Sequence, residues 1–241
     1  MMIRSEEKKF NEIAILMAAG MGTRMRPLTE NTPKPLIKVR GIPMAETVIG
    51  GLRERGIEEI TVVTGYLGEQ FSYLESKYPG LSTVSNKDYE TVNNISSIKA
   101  VTDRLRGRNA FICEADLFVS DPSIFQADLE GSCYFGKYVS GYSDDWVFER
   151  DEKGFITRVG KGGTDCYNMC GIAYFTAEDA TILADAIDER YSTDGYEDLF
   201  WDDVVNENLD RLRLTVQPVG HDQIAEIDTV EELRAFEERT D

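Results

Sequence analysis

Between Ile13 and Lys34 the chain places a set of residues suited to holding a polyanion. An apolar run, Ile13 to Met17, empties into Ala18-Ala19-Gly20-Met21-Gly22-Thr23-Arg24, and Arg26 and a Pro33-Lys34 pair follow within one loop. Small residues at a strand end let backbone N–H groups approach phosphate oxygens with no Cβ atoms in the way. Arg24, Arg26 and Lys34 add positive charge beside those amides. The expected chemistry is a triphosphate cradle, with Ala18, Ala19, Gly20, Gly22 and Thr23 supplying backbone and Arg24 and Lys34 supplying charge. Neither common glycine fingerprint fits. Met25 stands where G-x-G-x-x-G needs its third glycine, and no Gly-Lys-Ser/Thr closes the loop. The plain alternative is a strand-to-loop turn with incidental basic residues.

Two aspartates follow apolar strands far apart in sequence. Asp116 comes after Ala110-Phe111-Ile112-Cys113, and Asp228 ends Glu226-Ile227-Asp228. Ligand sites of open α/β sheets lie outside the carboxyl ends of their strands. Either aspartate could instead serve as a turn or cap residue, and Thr229 competes with Asp228 for the cap. Asn94 and Ser97 carry groups able to read a pyrimidine edge, although Asn94 also suits a helix N-cap. Tyr66, behind Gly65 at another strand end, could wall a base. Both tryptophans neighbour carboxylates, in Asp144-Asp145-Trp146 and Trp201-Asp202-Asp203, with Glu149, Tyr191, Tyr196 and Phe200 close in sequence. Aromatic faces with nearby carboxylates hold quaternary ammonium groups. The competing reading of the second segment is an ordinary helix that buries Phe200 and Val204.

The elements that must position these residues alternate strand and helix. Helices are predicted over 43–55 with Gly56 as the stop, 69–77, 94–105, 177–191 and about 197–206. Strands are predicted at 60–64, near 83–84, and at 110–113, 132–139, 171–175, 212–216 and 224–227. Residues 146–159 read as a β-hairpin, and Thr229-x-x-Glu232 as a capping box opening the last helix. This spacing predicts an α/β fold with a mostly parallel sheet. The chain reads as one domain, with a Rossmann-like nucleotide-binding half over about 11–130 and a more antiparallel acceptor-binding half over about 131–241.

Composition sets outer bounds. The 241 residues are 41% hydrophobic and 29% charged, ordinary for a globular protein, but the net charge is −18. That charge argues against a nucleic-acid partner. The four cysteines contain no C-x-x-C pair and only one histidine accompanies them, so buried thiols in a reducing cytosol are expected rather than zinc. The first twelve residues are too charged for a secretory leader, and no apolar run approaches ~18 residues. The expectation is a cytoplasmic protein with no membrane partner.

As a whole, Ala18 to Lys34 resembles the signature of the sugar-phosphate nucleotidyltransferase superfamily, with Met25 in place of the usual Leu. The resemblance implies a three-layer sandwich around a mixed central sheet. It also implies Mg2+ held by Asp116 and Asp228, with Glu226 placed on the same side of its strand to join them. Over nearly the whole chain the sequence looks like the CTP:phosphocholine cytidylyltransferases. The likeness is carried by Leu28-Thr29-Glu30-Asn31-Thr32-Pro33-Lys34, Gly65-Tyr66-Leu67, Asn93-Asn94, Asp198-Leu199-Phe200-Trp201-Asp202 and Glu226-Ile227-Asp228. It implies Mg2+-dependent cytidylyl transfer from CTP to phosphocholine, giving CDP-choline and pyrophosphate. Trp146 best matches the family's aromatic choline pocket, with Glu149, Tyr191, Trp201 and Asp202 as further acceptor contacts and Lys161 reaching the acceptor phosphate. A sister activity on 2-aminoethylphosphonate shares nearly every motif. A hexose-1-phosphate nucleotidyltransferase is disfavoured because Arg158-Val159-Gly160-Lys161-Gly162 lacks the Glu-Lys-Pro of the sugar-specific relatives. A nucleotide-sensing domain without turnover is disfavoured by intact Arg24, Lys34, Asp116 and Asp228.

Overall fold

The apolar runs become one seven-stranded sheet, seen in a computed structural model that describes residues 12–239. The charged amino-terminal stretch lies outside the described residues apart from Glu12. At the centre, β1 (Glu12–Ala18) pairs in parallel with β4 (Ile60–Thr64) and with β6 (Asn109–Glu114), and β5 (Leu81–Ser85) continues the parallel set beyond β4. On the other side, the long strands β8 (Cys133–Arg150) and β9 (Ile156–Phe175) run antiparallel to each other, and β9 runs antiparallel to β6. Strand β10 (Thr215–Pro218) closes that edge in parallel with β8, so the order is β10-β8-β9-β6-β1-β4-β5. The expected mostly parallel, mixed sheet is what forms.

Period-two alternation splits β1 between two cores. Ala14, Leu16 and Ala18 face α1 (Met44–Arg55) and α2 (Ser72–Lys77), whereas Ile13 and Ile15 face the opposite layer. That layer holds α3 (Ile95–Lys99), α4 (Thr102–Leu105), α5 (Ala177–Tyr191) and α6 (Trp201–Glu207). Gly56 ends α1 at φ 93°, the left-handed cap its position predicts. The single helix expected over 94–105 is broken at Val101 (φ −133°), giving α3 and α4. The helix expected from about 197 starts only at Trp201. The expected hairpin is the tip of a longer one, because β8 and β9 continue unbroken for 18 and 20 residues.

Two small antiparallel sheets complete the fold: β2 (Lys38–Val39) with β3 (Ile42–Pro43), and β7 (Leu117–Val119) with β11 (Ile224–Glu226). A third apolar cluster lies beside them. In it Met25, fully buried, packs with Met44, Phe118, Ile227 and Leu233 of α7 (Val230–Glu237). Methionine fills a leucine-sized site readily, so the one departure from the loop signature keeps the loop's apolar anchor. Among the described residues, no helix is long and apolar enough to cross a membrane.

Candidate active site

The loop after β1 folds back on itself through short 3-10 turns at Thr23–Met25, Leu28–Glu30 and Lys34–Leu36. Gly22 makes this possible. Its φ of 59° is left-handed, and a Cβ there would stand 2.8 Å from the Lys34 Cβ. Thr29 Oγ1 donates to the Gly22 carbonyl at 2.8 Å and pins the turn. Gly20 is different, since a Cβ on it would meet nothing within 4 Å and its surroundings open into the cleft. Tyr66 braces the loop from outside. Its hydroxyl donates to the Thr29 and Glu30 carbonyls at 2.9 and 3.2 Å, and its N–H donates to Ala19 O at 3.1 Å.

The carboxylates come together through β7 and β11. Leu117 pairs with Glu226 in that ladder, so Asp116 and Asp228 flank the pair at the same end. Lys34 Nζ donates to Asp116 Oδ2 at 2.6 Å and to Asp228 Oδ1 at 2.7 Å, while Arg24 reaches Asp228 Oδ2 at 2.9 Å. Asp228 is free for this because Thr229 takes the cap. Thr229 Oγ1 accepts the Glu232 N–H at 3.1 Å, and Glu232 Oε2 accepts the N–H groups of Thr229 and Asp228 at 3.0 and 2.7 Å. Burial alone would push the Lys34 ammonium down, but the two carboxylates more than offset it and hold its pKa above the ordinary value.

Negative charge is nonetheless in excess. Glu226 opens into the cleft but is crowded by protein on its other sides. That enclosure, with Asp145, Asp228 and Asp116 nearby and only Lys137 opposing, pushes its carboxyl up to about 7. Glu114, at the end of β6, is likewise pushed well up by burial and then by Asp116 and Glu226. Among the described residues, no three His, Cys, Asp or Glu side chains form a ready-made metal cage. The set fits Mg2+ even so: the ion takes one or two hard carboxylates plus phosphate oxygens and water, and the under-compensated carboxylates at this point call for a further cation.

These groups line one cleft of about 480 Å3. The structure brings to it most of the residues read from the sequence. Ala18, Ala19, Gly20, Gly22, Arg24 and Lys34 come from the loop. Asn94 and Ser97 come from the start of α3, and Asp116, Glu226 and Asp228 from the small β7–β11 sheet and its flanks. Trp146 and Lys161 face each other across β8 and β9. Asn94 does not cap its own helix with its side chain; its Oδ1 accepts the Trp201 N–H at 2.9 Å.

Other candidates lie outside the cleft. Thr23 is exposed at the start of its 3-10 turn, and Tyr66 is the brace already described. Trp201 is only 4% exposed and stacks on Tyr134 at 5.7 Å in the core, because α6 turns its first residue inward. Asp202 is buried beside it and accepts from the Tyr134 hydroxyl at 2.9 Å. Tyr191 packs on Tyr196 at 4.2 Å and donates to Asp88 at 2.7 Å. Glu149 pairs with Arg158 at 2.8 Å on the surface. The acceptor contacts expected of Trp201, Asp202, Tyr191 and Glu149 are therefore not supported by their positions. The cleft wall instead includes Phe200, Asp144, Asp145 and Glu114. Phe200 lies edge-on to Trp146 at 5.4 Å. Glu114 was legible in principle, since it sits two residues before Asp116 at the same strand end.

Residues 14–132 match the MobA-like NTP transferase domain family. A 2-aminoethylphosphonate cytidylyltransferase of Lancefieldella rimae is 55% identical over 93% of this chain and 91% of that protein. A choline-phosphate cytidylyltransferase of Streptococcus pneumoniae is 35% identical over 93% of this chain and 96% of its own length. The solved structure of a CTP:phosphocholine cytidylyltransferase from Streptococcus pneumoniae superposes with a TM-score of 0.87 at 34% identity, covering 95% of this chain and 99% of that one. Loop, paired aspartates and whole-chain likeness agree: the chain belongs to the cytidylyltransferase family of nucleotidyltransferases.

Proposed function

We propose that the chain transfers the cytidylyl group of CTP to 2-aminoethylphosphonate, giving CMP-2-aminoethylphosphonate and pyrophosphate. The observation that carries this is the make-up of the acceptor wall. With Trp201 and Tyr191 outside the cleft, its aromatic part reduces to Trp146 and Phe200, set among Asp144, Asp145, Glu114 and Glu226. A primary ammonium brings three N–H donors to such a wall and can bond Asp144 or Asp145 directly, whereas a trimethylammonium brings no donor. The 55% identity to the Lancefieldella rimae enzyme, against 35% for the choline-phosphate enzyme, points the same way. Phosphocholine, the acceptor favoured by sequence motifs alone, becomes the second reading.

In this reaction an acceptor phosphonate oxygen forms a bond to the α-phosphorus as the α–β bridging bond breaks, and the electron pair leaves with pyrophosphate. The oxygen is already anionic, so no protein base is needed. Backbone amides of the Ala18–Gly22 loop and Arg24 hold the triphosphate, and Lys34 orders the Asp116–Asp228 pair and faces the transferred phosphoryl group. Mg2+ held by Asp116 and Asp228, with Glu226 in reach, would neutralise charge developing on the phosphate oxygens. Asn94 offers cytosine the donor end of its amide, because its oxygen is committed to Trp201; O2 and N3 of the base are acceptors. Lys161 meets the acceptor phosphonate. The chain acts as one unit, with the nucleotide held by about residues 11–130 and the acceptor by about 131–241. It works in the cytoplasm, where CTP is found.

The test is pyrophosphate release from CTP with 2-aminoethylphosphonate, phosphocholine, phosphoethanolamine or glucose 1-phosphate in parallel. We expect kcat/KM for 2-aminoethylphosphonate to exceed that for phosphocholine by roughly tenfold or more, the scale of one charge-assisted hydrogen bond made by the primary amine alone. A preference for phosphocholine would overturn the acceptor assignment.

A further inference from the structure

The Phe200 side of the acceptor wall has no regular element beneath it. Between the end of α5 at Tyr191 and the start of α6 at Trp201 the chain is irregular, yet it carries the ring that meets Trp146. Tyr191 at its start reaches Asp88, and from Glu197 to Trp201 its hydrogen bonds to the nucleotide half come from one dipeptide. The Asn93 N–H donates to Glu197 O at 2.7 Å, Asn93 Nδ2 donates to Asp198 O at 3.2 Å, and Asn94 Oδ1 accepts the Trp201 N–H at 2.9 Å. Asn93 Oδ1 meanwhile accepts the Asn94 N–H at 2.7 Å, which fixes the amide with its nitrogen towards the 197–200 segment. Asn94 lines the cleft and Asn93 does not.

Resting on the cytidylyl-transfer reading of the cleft, we infer that Asn93 is a positioning residue for the acceptor: it seats the 197–200 segment so that Phe200 closes on Trp146. Although it sits in the segment whose neighbour faces the nucleotide, its effect falls on the other substrate. The side chain reaches the acceptor only through Phe200, and its one bond to the nucleotide side is the turn that orients Asn94.

Asn93→Asp separates the two bonds. It keeps the oxygen that holds Asn94 and replaces the donor to Asp198 O with an oxygen that repels it. With the acceptor that the wild type uses best among the four above, this variant is expected to raise acceptor KM about three- to tenfold, the range of one net hydrogen bond. KM for CTP should stay within twofold. In a Phe200→Ala background the same change should add nothing further to acceptor KM, because Asn93 acts through that ring. Asn93→Ala, which drops both side-chain bonds, should show the acceptor effect with a rise in CTP KM beside it. An unchanged acceptor KM in Asn93→Asp, equal rises for both substrates, or additivity with Phe200→Ala would each overturn the inference. If Asn93→Asp does not fold, an Asn93→Ala protein with unchanged acceptor KM overturns it. A wild type that prefers phosphocholine defeats the acceptor assignment alone, since the Asn93 test then runs on phosphocholine.

Discussion

Lys34 holds Asp116 and Asp228 at one point although 112 residues separate them in the chain. Replacing either aspartate by asparagine keeps shape and removes charge from a place where the other carboxylates already lack compensation. Both Asp116→Asn and Asp228→Asn are expected to lower kcat by roughly 10²-fold or more, the scale for losing one electrostatic contact to a transition state. Each should also move the Mg2+ concentration for half-maximal activity upwards, and direct Mn2+ binding in the presence of CTP should weaken. Full turnover at unchanged Mg2+ would remove the pair from the metal site. The same two residues show what a sequence can carry. Each was visible as an aspartate at a strand end, with a cap as the competing explanation. For Asp228 that competition was decided by Thr229, whose hydroxyl accepts the Glu232 N–H.

Among elements, the glycine loop was the most legible and can be dissected by position. Gly22 has a left-handed φ of 59° and no room for a Cβ beside Lys34, whereas Gly20 has open space. Gly22→Ala is expected to destabilise the fold by about 1–3 kcal/mol through backbone strain, visible as a lowered Tm, and to lower kcat as Lys34 shifts. Gly20→Ala should leave Tm within a degree or two and raise KM for CTP, since its methyl group enters only ligand space. Equal Tm losses for the two would contradict this division. Helix α6 was harder to read. Its pattern reads either as a ligand-holding Trp201 or as a helix burying Phe200 and Val204, and neither reading turns Trp201 to the core; one residue of helical phase, about 100°, separates a core tryptophan from a ligand-facing one. Phe200 precedes the first turn with extended backbone and ends in the cleft, while Trp201 packs on Tyr134.

At the scale of the molecule, the second core contains a group that opposes it at high pH. Burial first, and then the neighbouring Asp203, push the Asp202 carboxyl up to about 7 from an ordinary 3.8, against the hydrogen bond from Tyr134 that pulls it down. The folded chain therefore binds a proton that the unfolded chain releases, and the stability this brings is complete below about pH 4 and lost as pH rises through about 7. Asp202→Asn stays neutral and still accepts from Tyr134. It is expected to raise Tm over wild type at pH 8, by an amount on the order of 2–4 kcal/mol in stability, and to change Tm little at pH 4. A Tm difference independent of pH would place the titrating group elsewhere.

Sequence alone determined the reaction class and the central sheet. The glycine loop, the strand–helix alternation and the strand-end aspartates are local patterns, each written in contiguous residues whose spacing obeys the periods of strand and helix. Which side chains line the cleft was decided only in three dimensions. Trp146, Phe200 and Glu226 come from three separate stretches and meet because β8, the segment before α6, and β11 converge on one end of the sheet. The aromatic–acidic composition of those stretches was plain, but composition does not say which ring turns inward. Packing against Tyr134 withdrew Trp201 from the site and left a wall richer in carboxylates than in rings. That balance is what supports the proposal of a primary amine over a trimethylammonium as acceptor.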